Sequence, residues 1–151
     1  MIKTRFRLGT NELMLDRGRR MKLAPNQRKC PCCHSNAIET PFHFTMECPA
    51  YNNQRRAFFK AIQKATSSSN TDHFLWNSKS KEEQFALLMA NGISKNDASY
   101  PQWRQIETAH FIFNTAAVQH RAKLIRSLCD SGELDFNPAD LLSDRWGSIA
   151  K

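Results

Sequence analysis

Apolar positions recur at helical spacing through most of the chain. From Pro49 onward, Tyr51, Phe58, Phe59 and Ile62 fall at i, i+7, i+8 and i+11, one face of a helix with proline at its first position. Arg56, Lys60 and Lys64 recur every fourth residue on another face, with Arg55 beside them. Ser80-Lys-Glu-Glu83 is a capping-box signature, which opens a helix carrying Phe85, Leu88 and Met89 and stopping near Gly92. The longest element runs from about Pro101 to Cys129. On it Trp103, Ile106, His110, Phe113, Ala117, Leu124 and Leu128 form one stripe, and Phe111, Val118, Ala122 and Ile125 a second. A helix apolar on two sides packs on two sides, so this one is expected at the centre of the core. Asn137-Pro138 pairs a cap with a first-turn proline and begins a last short helix through Leu141, Leu142 and Trp146. Near the start, Asn11 opens a helical turn through residues 13–15 that Gly18 ends. Strand signals are few: Phe6 and Leu8 alternate with Arg5 and Arg7 over one short stretch. The pattern predicts a mostly α fold, a helical bundle with one long central helix.

Polar breaks divide this pattern. Serine and asparagine gather at 66–71, and a second break runs over 91–99. The expected organisation is a basic N-terminal segment over 1–29, a knuckle with its following helix over 30–65, and a helical domain over 72–151. At 151 residues the chain has about one domain's length, enough for one sizeable core. It contains no run of eighteen apolar residues, the length a membrane span needs.

The stretch that fits no helical period is CPCCHSNAIETPFHFTMEC. Cys30 and Cys33 lie two residues apart, His43 follows after nine and Cys48 after four more, which is the C-x2-C…H-x4-C spacing of a zinc knuckle. Zinc takes four sulfur or nitrogen ligands in a closed tetrahedron. Two cysteines so spaced can both point inward from one tight turn, and the histidine and last cysteine can do so from the start of a helix. All four fall within nineteen residues, so the loop is short to close. Cys32 and His34 leave a second ligand register open, and a Cys30–Cys48 disulfide is a further alternative. Five cysteines, three of them within four residues, suit a reducing compartment and metal-held thiolates better than a disulfide scaffold. Cys129 falls in a helical pattern and reads as a core thiol. Structural zinc contributes on the order of 10 kcal/mol in isolated finger peptides, so chelation should unfold residues 28–50 locally and leave the helices from 80 onward folded.

Charge sharpens the reading. The formal net charge is +8, and residues 1–30 carry nine Lys or Arg against two acids, a net of +7. Residues 31–62 add +1, and 63–151 balance at ten against ten. The excess is Lys3, Arg5, Arg7, Arg17, Arg19, Arg20, Lys22, Arg28 and Lys29, with Arg55, Arg56, Lys60 and Lys64 downstream of the last ligand. Phosphate backbones attract such segments through counterion release; a solvated tail or an acidic protein partner is the alternative. A mitochondrial presequence competes for the first residues, since no acid precedes Glu12. Beside a knuckle, nucleic acid is the favoured partner.

These residues also carry a family resemblance. The order TRFRLGTNELMLDRGRR, a basic spacer, CPCC, HFTMECPAY and then Arg-Arg is similar to the region after the reverse transcriptase in non-LTR retrotransposon polyproteins. The matching positions are Arg5, Arg7, Leu15, Gly18, Arg19, Cys30, Cys33, His43, Phe44, Glu47, Cys48, Pro49, Tyr51 and Arg55. The likeness covers about residues 3–60 and is loose beyond. It implies a non-catalytic, Zn2+-holding module that binds RNA or DNA. No polymerase motif such as a paired-aspartate YxDD accompanies it.

Catalysis finds no constellation. Metal-dependent phosphodiester cleavage needs clustered carboxylates near a lysine. Here the acids after the knuckle are scattered, with Asp135, Asp140 and Asp144 near one helix start. No Gly-rich phosphate loop and no Ser-His-Asp set is present, and His110 and His120 sit on or beside core stripes. The expected class is a non-enzymatic binder without a small-molecule substrate. It would be an RNA-binding component of a ribonucleoprotein such as an organellar ribosome, in mitochondrion or nucleus, with protein neighbours and no membrane. A fragment of an active retrotransposon protein, or a zinc-stabilised protein–protein adaptor, are the alternatives.

Overall fold

The computed structural model describes residues 12–67, 76–90 and 94–142. Among these the fold is mostly α, with no strand and a single antiparallel bridge between Lys29 and Ile38. The helices are α1 (Met14–Arg20), α2 (Asn52–Thr66), α3 (Lys81–Met89), α4 (Tyr100–Asp130) and α5 (Pro138–Leu141). The expected signals hold where caps carry them. Ser80 Oγ accepts from the Glu83 N–H at 3.2 Å while Glu83 Oε2 accepts from the Ser80 N–H at 2.7 Å, both halves of a capping box. Asn137 Oδ1 accepts from the Ala139 N–H at 3.0 Å and Pro138 begins α5. Phe6 and Leu8, Gly92 and Trp146 lie outside the described residues.

α4 is the axis of the fold. α2 lies along it in the opposite direction: Tyr51 meets His120 edge-on, and Phe58 stacks on both Phe113 (centroids 4.9 Å apart) and His110 (5.6 Å). His110 is therefore a core histidine, buried in an aromatic stack. The core that forms here draws Cys30, Phe44, Cys48 and Tyr51 from the knuckle, Phe58 and Ile62 from α2, and Trp103, Ile106 and Phe113 from α4. Side chains from both the 30–65 and the 72–151 segments thus enter one cluster. A smaller cluster joins Met14 of α1, Ile125 of α4 and Leu141 of α5.

Two expectations change. The second stripe of α4 is buried only toward its C-terminal end: Ala122 and Ile125 are covered, but Phe111 is 60% exposed. The reason is coverage, since α1 and α5 pack only against the last turns of α4. Gly18 does not end α1 but lies buried inside it, and the turn comes at Lys22, whose φ of 59° is left-handed. A Cβ at Gly18 would sit 2.6 Å from Arg28 Cγ, because the Arg28 side chain crosses the helix there. The Arg28 head is held by Leu23 O (3.1 and 3.0 Å) and cannot swing away freely. Gly18→Ala is therefore expected to lower the melting temperature. The overpacking penalty of about 1–3 kcal/mol exceeds the roughly 1 kcal/mol gained in helix propensity.

Candidate metal centre

The first two ligands are set by a small hairpin. Cys30 N donates to Ala37 O at 2.8 Å and Glu39 N to Arg28 O at 3.0 Å, pairing the two arms around the Lys29–Ile38 bridge. Asn36 takes φ 59° at the turn, a left-handed conformation that asparagine tolerates better than most residues. The turn holds Cys30 inward and brings Cys33 beside it. The other two ligands come from a π-helical turn, His43–Glu47, whose end is closed by the Cys48 N–H donating to His43 O at 2.7 Å. The wider π pitch returns the chain so that Cys48 and His43 lie on the same side. A 3-10 turn, Pro49–Tyr51, then leads directly into α2.

Cys30, Cys33, His43 and Cys48 converge: their ligand atoms all lie within 4.8 Å of one another. The Cys30 and Cys48 sulfurs are 3.7 Å apart, and Cys33 Sγ is 3.4 Å from His43 Nε2. All five cysteines are free, and the 3.7 Å separation is far beyond the roughly 2.05 Å of a disulfide. Cys32 stays outside the group, half-buried, and His34 is exposed, so the register is the one with Cys30 and Cys33. The group can hold a metal ion. His43 Nδ1, the nitrogen turned away from the sulfurs, faces Glu47 Oε2 at 3.6 Å, the kind of outer carboxylate that orients a ligating imidazole.

The thiols of the group differ in their electrostatics. At Cys30 the hydrogen bond with Cys32 lowers the thiol pKa, but the Cys48 hydrogen bond, burial and the Glu39 carboxylate raise it well above the ordinary range. Cys33 behaves oppositely. Burial pushes it up, yet hydrogen bonds from Ser35, His43 and Cys30 outweigh this and bring it to about 7. Its Sγ lies 3.0 Å from Ser35 Oγ. Cys33 is thus the thiol most readily deprotonated near neutrality, while Cys30 holds its proton more tightly; a bound cation would favour the thiolate form of both.

Arg55, expected in the basic stripe, turns inward instead and is 7% exposed. Its guanidinium donates to Thr45 O (2.9 Å), Cys48 O (2.8 Å) and Phe44 O (3.3 Å), and to Asn52 Oδ1 at 2.8 Å. It therefore caps the carbonyls of the turn that carries two ligands. Arg55→Ala removes a donor from each of these carbonyls, of which Cys48 O keeps the Tyr51 N–H at 3.2 Å. The loss costs about 1–3 kcal/mol for each group left unpaired. Metal affinity is expected to fall about 10–100-fold, as for other residues that hold ligands in place. Competition with a chromogenic chelator measures this, and Arg55→Lys should restore only part of it, because an ammonium cannot reach three carbonyls at once.

The other cations divide into three groups. Arg17 pairs with Glu12 at 2.6 Å, and Arg19 (2.6 Å) and Arg20 both bind the buried Asp16. Arg28 is directed at Leu23 O and Leu15 O. Lys22, Lys29, Arg56, Lys60 and Lys64 are exposed, the last three as a row along α2. Lys3, Arg5 and Arg7 lie outside the described residues.

Two residues that hold the site in the fold were not anticipated. Glu39, fully buried at the end of the hairpin, accepts from Arg121 Nε at 2.7 Å and Nη2 at 2.8 Å, and from the Met14 N–H at 2.6 Å. Arg121 Nη1 also reaches Leu141 O at 3.4 Å. One buried ion pair thus ties the knuckle to α1, α4 and α5. The signal available in the sequence was a cation at the 117, 121, 124, 128 register of the apolar stripe, which requires a buried counterion. Comparison of the chain with family models, with curated proteins and with solved structures returns no match, so the site is identified by its own geometry: a candidate metal centre built from a hairpin and a π turn at the entry to α2.

Proposed function

We propose that the four side chains hold Zn2+ as a closed structural site and that the protein is a non-catalytic nucleic-acid-binding module, with RNA as the favoured partner. A tetrahedron with Zn–S near 2.3 Å and Zn–N near 2.0–2.1 Å has S···S edges of about 3.8 Å and S···N edges of about 3.5 Å. Two of the six edges, 3.7 and 3.4 Å, match these, and the others lie within 4.8 Å. Sulfur and imidazole donors also favour zinc over magnesium or calcium. Four protein ligands leave no open position for water, which argues for a structural and not a catalytic metal.

The observation that carries the nucleic-acid reading is the placement of α2. Its first turn follows the last ligand directly, its sequence NNQRRAFFKAIQKAT contains no acid, and Arg56, Lys60 and Lys64 form its solvent face. The metal fixes the direction of that row, and phosphate charge complements it. The resemblance to retrotransposon zinc-knuckle regions supports an origin in such an element and a role inside a ribonucleoprotein.

Fluorescence anisotropy with labelled single-stranded RNA and duplex DNA over a range of salt tests this. RNA should bind more tightly, with log K falling linearly against log salt. Lys60→Ala with Lys64→Ala should lower that slope by about 1–2 units, roughly one per lost phosphate contact. A slope unchanged by the double substitution, or no binding of either nucleic acid at moderate salt, overturns the reading. Native mass spectrometry should show one zinc, lost in Cys33→Ala with His43→Ala.

A further inference from the structure

α2 and α4 do not close completely against each other. On one side they leave a groove of about 390 Å³ floored by Ala57, Ala61, Ala109 and Ile112. At Ala61, Ala109 and Ile112 it continues into a second depression of about 540 Å³, which Lys64 borders from α2 and Arg104 from α4. From Asn53 to Lys64 the groove follows about 17 Å of helix, roughly three turns.

Three features define what fits. The floor is mostly alanine, so an incoming backbone can approach closely, and Ile112 is 62% exposed although large and apolar. Lys64 and Arg104 form no ion pair with any carboxylate among the described residues, and α2 contributes no acid to its wall. Gln54, which lines the opposite end, has its Oε1 buried without a hydrogen-bond partner. An apolar channel of helical length, positive at one end, complements a helix that is apolar on one face and acidic on its edge. Single-stranded RNA is a poorer fit, because it is held by exposed ring faces. The aromatic residues under this groove, Phe58 and Phe113, are 3% and 2% exposed.

We propose that this groove docks an amphipathic helix of a protein partner, its apolar face on the alanine floor and its carboxylates against Lys64 and Arg104. This surface is separate from the metal centre; it shares Lys64 with the basic row of α2, but its apolar floor does not depend on RNA binding.

The test is 1H–15N NMR on the full, metal-loaded chain. The probe is a synthetic helix of about three to four turns, with Leu at i, i+3, i+4 and i+7 and Glu on the remaining face. The comparators are the same peptide with Lys for Glu and a single-stranded RNA oligonucleotide. The acidic peptide should move the amides of Ala57, Ala61, Ala109 and Ile112 and bind at least about tenfold more tightly than the basic one. Ala61→Gln, at an exposed helical position, should weaken the acidic peptide by a similar factor while leaving the free protein's spectrum dispersed and its RNA affinity unchanged. Arg104→Gln should reduce the preference for the acidic peptide. Equal affinity for the two peptides, no movement of the groove amides by the acidic peptide, or movement of Ala109 and Ile112 on α4 by RNA overturns the proposal. Failure of RNA to bind anywhere removes the nucleic-acid reading alone.

Discussion

Chelating the proposed zinc is expected to unfold the protein as a whole, in one transition. Structural zinc contributes on the order of 10 kcal/mol in isolated finger peptides, comparable to the 5–15 kcal/mol that holds a typical domain folded. The knuckle is no appendage that could melt alone. Cys30 and Cys48 belong to the same buried cluster as Tyr51, Phe58, Trp103 and Phe113, with Cys48 fully covered. Arg55 further ties the ligand turn to α2 through three carbonyls. Loss of the cation removes the bonds that join the hairpin carrying Cys30 and Cys33 to the π turn carrying His43 and Cys48. Helical circular dichroism and the fluorescence of the buried Trp76 and Trp103 should therefore fall together as chelator is added. Retention of helical signal while metal and residues 28–50 are lost would instead support local unfolding, the outcome expected from the segment boundaries alone. Cys48→Ala should reproduce the effect of chelation without chelator.

Breaking the Glu39–Arg121 pair should be the next most damaging change. Glu39→Ala or Arg121→Ala alone is expected to destabilise by about 3–5 kcal/mol, because each leaves an uncompensated charge in the interior. Arg121 shows the balance: burial disfavours its charge, and the Glu39 carboxylate more than offsets this, raising its pKa. Glu39→Ala additionally strands the Met14 N–H at the start of α1. Replacing both partners with apolar residues, Glu39→Leu with Arg121→Met, should lose less than the sum of the single changes, since no unpaired charge remains. Urea denaturation of the unaltered protein, Glu39→Leu, Arg121→Met and the double variant gives the coupling directly. Additive losses would mean that the two side chains act independently, against the bidentate geometry of 2.7 and 2.8 Å.

Much of the architecture was legible in local pattern. The long helix was expected from about Pro101 to Cys129 and runs Tyr100–Asp130. The capping box at Ser80 and the cap at Asn137 are both made. The ligand spacing singled out the four residues that converge. What was not legible depended on neighbours distant in the chain. Arg55 resembles the stripe cations Arg56 and Lys60 in sequence, yet it is one of the face that turns toward the carbonyls of the π turn. Gly18 reads as a helix stop, yet it is a crossing point for Arg28, ten positions on. Phe111 continues an apolar period, but nothing among the described residues covers it as α1 and α5 cover Ile125.

Helix positions, caps and ligand spacing are local properties, set by steric and hydrogen-bonding rules that act over a few residues, and these were decided by the amino-acid order alone. The joining of the knuckle to the bundle was decided only in three dimensions. It rests on a buried ion pair between residues 82 positions apart and on aromatic contacts between α2 and α4. The groove between those helices is of the same kind. Its alanines sit on two separate helices, each unremarkable alone, and only their antiparallel packing lines them up in one channel that ends at Lys64 and Arg104.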